Sequence, residues 1–136
     1  MSENDSSSPE FQASITSLWE DLKQLTKEVV AEMNRTDELR TKTGGLDCSF
    51  ADRDEIVVTN HSSPSMEVTI RRRSALIHVH TRIAIQGAER ESWESFAVEI
   101  DDSGALLRNR EGDALTIERT VFHILRPFLH LQAIAN

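Results

Sequence analysis

The chain of 136 residues has little of what usually announces a function. Cys48 is its only cysteine, so an intramolecular disulfide and a paired-cysteine metal or redox site are both excluded. Aromatic residues make up 5% and hydrophobic residues 38%, so a core must come from periodic clustering rather than from abundance. No apolar run approaches the ~20 residues that span a bilayer. Residues 1–9 are acidic and serine-rich, without the basic start or apolar stretch of a signal peptide. The expected location is therefore the cytoplasm. No GxSxG, Walker loop, GxGxxG or HExxH occurs. No catalytic residue is nominated, no cofactor is expected, and the chain reads as a protein other than an enzyme.

Charge narrows the partners. The formal net charge is −8 and the pI is about 5.1, a balance that repels phosphate backbones and acidic membrane surfaces. Neither nucleic acid nor membrane is an expected partner; another protein, or a second copy of the chain, is. The only lysines are Lys23, Lys27 and Lys42, and every other basic residue is arginine, the cation suited to planar carboxylate pairing.

What is present is periodicity. Residues 1–8 (MSENDSSS) have the composition of a disordered tail, and residues 9–136 that of a single domain. Ser8-Pro9-Glu10 is a helix-start signal: a capping hydroxyl, a proline tolerated at the first position, and an acid at the positive end of the dipole. Phe11, Ile15, Leu18, Leu22, Leu25, Val29 and Met33 then recur at steps of three and four, the stripe of an amphipathic helix ending before Gly44-Gly45. From Leu46 to about Arg110 the period becomes two. Strands are expected at 46–50, 55–59, 66–70, 76–85 and 93–100, with a loop over 86–92 and a last edge strand at 105–110. Thr116 can cap a C-terminal helix with Ile117, Val121, Ile124, Leu125 and Phe128 on its apolar face, which Pro127 should end or kink. The fold class is α+β: a long N-terminal helix, an antiparallel meander of four to six strands, and a C-terminal helix, with the helices on one face of the sheet.

The outer, polar face of that sheet holds the candidate site. Apolar parity is even in 66–70 and odd in 76–85, and a two-residue turn at Arg73-Ser74 would match them. It puts Thr69 opposite His78 and Glu67 opposite His80. Pairing Ile83 with Phe96 then puts Glu99 opposite His80 and Asp101 opposite His78. Two histidines at i and i+2 between carboxylates can hold a metal, respond to pH, or form part of an ordinary charge-laced surface. Trp93 falls on the same face, either as an anchor for a partner or lying on Arg82. Arg71-Arg72-Arg73 is the only basic run, at a hairpin end. Cys48 sits in a short apolar strand as a small core residue, and His123 and His130 fall on the second helix, bordering the core or facing solvent.

The N-terminal helix raises a separate question. Its 27 residues would extend roughly 40 Å, against a radius of gyration of about 14 Å for a domain this size. Either it lies diagonally and buries its stripe, or it overhangs and meets a second copy through Ile15, Leu18, Leu22, Leu25 and Val29. Size, acidity and mixed content resemble those of small dimeric secretion chaperones of bacteria. Those interrupt their strands with a helix, for which there is no room between Met66 and Ile100. The leading expectation is a non-enzymatic protein-binding or regulatory module. The alternative is a small-ligand or metal-binding protein using the outer sheet face or a pocket between helix and sheet.

Overall fold

The N-terminal helix begins where its capping signal stands. In the computed structural model, which describes residues 8–131, the Ser8 hydroxyl accepts a hydrogen bond from the Phe11 N–H at 3.0 Å, and Pro9 follows at the first helical position. The expected tail otherwise lies outside the described residues. Helix α1 spans Pro9–Arg35. Thr36 interrupts it in an extended conformation, and a short α2, Asp37–Thr43, follows. Gly44 ends α2 at φ 80°, and a Cβ there would collide with the Ser62 side chain, so conformation and space both require glycine.

The sheet is a meander of seven antiparallel strands in chain order: β1 (Leu46–Asp52), β2 (Glu55–Asn60), β3 (Ser65–Arg73), β4 (Leu76–Ile85), β5 (Ala88–Asp101), β6 (Gly104–Arg108) and the two-residue β7 (Ala114–Leu115). The last of these is too short to show any periodicity. Thr116 caps α3 (Ile117–Leu125) by accepting from the Arg119 N–H at 3.2 Å, and a tighter 3-10 segment over Arg126–His130 follows at Pro127.

Alternation decides what the sheet buries. Ile56 and Val58, Met66, Val68 and Ile70, Ile77 and Val79, and Phe96 and Val98 point to one face and are fully or almost fully buried. Helices α1 and α3 cover that face, so the helices lie on one side, as the periodicity predicts. Helix α1 packs against β1 and also against β5 and β6, so it crosses the sheet from one edge toward the other. Its buried side chains run from Ile15 to Met33. The overhang is therefore corrected. Ile15, Leu18 and Leu22 are 0%, 2% and 0% exposed inside the single chain, and Leu25 and Val29 are half-buried against the same core. The stripe is used within the domain.

Two asparagines tie the covered side together. Asn34 on α1 receives the Leu46 N–H at 2.8 Å and donates to the Leu46 carbonyl at 2.8 Å, copying a strand neighbour at the start of β1. Buried Asn60 accepts from the Met66 N–H at 2.7 Å and donates to the Thr43 and Pro64 carbonyls, which fixes the 61–64 loop against the end of α2. The Trp19 indole, buried in α1, donates to the Arg53 carbonyl at 2.8 Å and holds the β1–β2 turn.

The strand registers differ from the sequence expectation while the faces do not. The β3–β4 turn is Ser74-Ala75, so Arg73 pairs with Leu76, Arg71 with His78, Thr69 with His80 and Glu67 with Arg82. The slip is two residues, which preserves parity. The expected loop over 86–92 is a two-residue turn, Gln86-Gly87, with φ 49° and 83°, the conformation of a type I′ hairpin. β5 therefore starts at Ala88 and pairs His80 with Trp93 and His78 with Ser95. Glu99 lies opposite Leu106, and Asp101 opposite Gly104, both remote from the histidines.

Candidate functional site

The outer face is built in cross-strand rows. β3 presents odd residues there, β4 even and β5 odd, because each adjacent pair in register shares a face. One row is Thr69, His80 and Trp93; the next is Arg71, His78 and Ser95; a third is Glu67, Arg82 and Glu91. Six of the seven residues expected to bind thus come together: His78, His80, Glu67, Trp93, Arg71 and Arg82 line one groove of about 380 Å³ with Glu55, Thr69 and Arg73. Glu99 does not join them. It is a β5 residue beyond the groove, where the Arg108 guanidinium grips both its oxygens at 2.7 and 2.9 Å. That hydrogen-bonded pairing holds the Glu99 carboxyl below the usual glutamate range.

Trp93 dominates the face. It is 68% exposed, and its ring stacks on His80 with centroids 4.7 Å apart and planes 15° from parallel. The stacking partner is thus the histidine rather than Arg82. His80 Nε2 donates to Glu91 at 2.7 Å, and His78 Nδ1 shares a hydrogen bond with the Ser95 hydroxyl at 2.9 Å. Each histidine thus has one ring nitrogen in a hydrogen bond to β5. Among the described residues no group of three or more His, Cys, Asp or Glu side chains is placed to hold a metal ion. The carboxylate that reaches His80 is Glu91, a residue the sequence pattern assigned to a loop.

The arginine run divides three ways. Arg71 is ion-paired with Glu55, Arg72 turns to Asp54 at 3.0 Å, and the exposed Arg73 has no ionic or hydrogen-bonding partner for its side chain among the described residues. Arg82 lies loosely between Glu67 at 3.6 Å and Glu89 at 3.9 Å. The face is consequently mixed in sign. Leu76, which alternation placed on the polar side without a role, is 41% exposed there, in line with Arg73, Ala97 and Arg108. Its apolar surface, in a groove shared with Trp93, is a contribution that pattern reading overlooked, as it did Glu91.

Elsewhere, an apolar groove of about 310 Å³ lies between helices, lined by Val29, Met33, Leu39, Phe122, Leu125 and Leu129. It is a helix–helix groove, not the helix–sheet pocket expected. Cys48 is half-buried, and desolvation pushes its thiol up against a smaller opposing effect of Lys27, so it stays protonated near neutral pH. His123 donates to Glu94 on β5 at 2.8 Å and meets the edge of Phe96, bordering the core, and His130 lines the helix–helix groove. Among the described residues no helix is long and apolar enough to cross a membrane. Comparison with protein-family models, with curated proteins and with solved structures finds no match to this chain.

Proposed function

We propose that the domain is a non-enzymatic protein-binding module of the cytoplasm whose contact surface is the outer face of the sheet. The observation that carries this reading is Trp93, 68% exposed yet held in one orientation by a stacked histidine. A large side chain that is already ordered loses little freedom when a partner covers it, and tryptophan and arginine are enriched where binding energy concentrates. Arg73, whose side chain has no ionic or hydrogen-bonding partner among the described residues, and Leu76 supply a charge and an apolar contact two rows along the same face, each in a groove shared with Trp93. The mixed signs around Trp93 and the net charge of −8 favour a protein over a nucleic acid or an acidic membrane surface. A protonated, half-buried Cys48 supports a role other than nucleophilic catalysis. The alternative, a small ligand in the 380 Å³ groove, draws on a volume within the range of ligand sites. That groove is open and polar, which suits a protein surface better.

The test is quantitative capture from the source cells with the wild-type chain and with Trp93→Ala. Stability should change by no more than about 0.5 kcal/mol, because the side chain is mostly in water. At least one protein captured by the wild type should fall roughly tenfold or more in recovery with the variant. Identical capture by the two proteins would remove the outer face from consideration.

A further inference from the structure

β5 is fourteen residues long and β6 only five. β6 pairs with Ala97–Asp101 and stops, so the preceding stretch of β5, from Ala88 to Phe96, has β4 on one side and no strand on the other. The phase of its backbone follows from one bond. The Val98 N–H donates to the Ala75 carbonyl at 2.8 Å, and the β4–β5 register sets these two residues opposite each other. Even-numbered residues of β5 therefore direct their backbone groups to β4, and odd-numbered ones away from it. Ala97 and Glu99 use theirs toward β6. Glu89, Glu91, Trp93 and Ser95 present theirs to an open edge, where none has a backbone partner among the described residues.

Exposed edges are usually blunted by proline, a bulge or a covering segment. Here the register is regular from Ala88 through Ala97 and the stretch holds no proline or glycine. We propose that this edge pairs with the same edge of a second copy of the chain, antiparallel about Ser92, joining two sheets into one.

Charge selects both partner and register. About Ser92, Arg90 faces the partner's Glu94 and Glu94 the partner's Arg90, while Trp93 faces the partner's Glu91 and Glu89 the partner's Ser95. Arg90 is exposed and has no ionic partner within its own chain among the described residues. Glu94 is held in place by His123, bonded at 2.8 Å, and keeps lone pairs free. Shifting the centre to Glu91 sets two glutamates against each other, and shifting it to Trp93 leaves Arg90 opposite Phe96. The register about Ser92 also places odd residues against odd, which is the phase the open backbone groups require. It brings the partner's Gln86-Gly87 turn up to the end of β6, into a groove of about 590 Å³ walled by residues 92–95 and Ala97 on one side and by residues 108–111, where the chain turns from β6 to β7, on the other. The two Trp93 rings become diagonal neighbours about 7–8 Å apart on the outer face. The dimer stands whether or not that face meets another protein, and it doubles the surface if it does.

Sedimentation of the full chain should give twice the 15.4 kDa monomer mass. Arg90→Glu and Glu94→Arg should each weaken self-association roughly tenfold or more, since two attractive pairs become repulsive. Mixing the two variants should restore a dimer, because the acidic position of one copy then faces the basic position of the other. In a Cys48→Ser background, Ser92→Cys should form an intermolecular disulfide on oxidation. Position 92 faces itself as a non-hydrogen-bonded pair, with Cα atoms about 4.5 Å apart. Glu94→Cys in that background should not. A wild type that stays monomeric into the millimolar range, or a dimer indifferent to both reversals, overturns the proposal. Arg73→Ala, on β3 and away from the β5 edge, should lower partner capture and leave the dimer intact, so the two proposals fail by different measurements.

Discussion

The two edges of the sheet are treated in opposite ways. At β1 the Asn34 amide occupies the outward backbone groups of Leu46, the ladder is irregular between Ser49 and Asp52, and Trp19 and Lys23 anchor the adjoining turn through the Arg53 carbonyl. At the far side β6 seals only the last part of β5, and the stretch from Ala88 to Phe96 keeps a regular register with β4 and has no backbone partner on its other side among the described residues. Both edges belong to one sheet over one core. The difference teaches that the long N-terminal helix does more than cover a face: it caps the start of β1 at Leu46, and among the described residues no side chain does the same for the backbone of residues 88–96. A free edge is an interaction surface unless something blunts it.

The sharpest way to break the comparison is to remove the helix from its side. Leu22 is fully buried in the middle of α1. Leu22→Asp puts an unpaired carboxylate there, and stability should fall by about 4 kcal/mol or more. Urea unfolding followed by circular dichroism measures it. A loss below about 1 kcal/mol would mean that α1 is not docked as described.

A smaller perturbation acts on the edge itself. Asn34→Ala removes both hydrogen bonds to Leu46 and should cost about 1–3 kcal/mol, because the carbonyl and N–H lose their partners in a half-covered site. The Leu46 amide should exchange with solvent much faster, while amides in β4 change little. Unchanged Leu46 exchange would show that the asparagine does not protect β1, and the contrast between edges would shrink to one of length.

How much of this was legible beforehand depends on burial. Faces were readable because the residues of Met66–Ile70 and the first half of β4 alternate against a covered core, and parity survives any slip of two. Register was not, because it rests on turns. Ser74 and Gln86 adopt positive φ without the asparagine or aspartate that usually signals such a turn. The first half of β5 read as a loop for a physical reason: Ala88–Trp93 buries nothing on either face, so its sequence has no apolar period to display. Glu91 and the open edge were hidden with it. Six of the seven nominated residues share one groove because histidine, tryptophan and arginine positions follow from parity alone. The pairing with Glu99 failed because it required register.

The finest test compares the sealed and open parts of β5 within one strand. Glu99 lies in the sealed part, and Arg108, at the last position of β6, binds both its oxygens and also donates to the Gly112 carbonyl. The hydrogen bonds from Arg108 are the main reason the Glu99 carboxyl is held low, the charge attraction adding to them and slight desolvation opposing. A carboxyl depressed in the folded state contributes stability above its unfolded value and loses that contribution as pH falls through the folded one. The contribution is thus present at neutral pH and disappears on acidification, and it is small because both side chains are largely in water. Carboxyl-carbon NMR should show Glu99 titrating below the usual glutamate range. In Arg108→Ala its midpoint should rise toward that range. The same variant should leave the chemical shifts of Glu89 and Glu91 amides unchanged, since no backbone partner links them to β6. Movement of those amides would mean that the end of β6 reaches further along β5 than five residues, and the edge would then be less open than its pairing indicates.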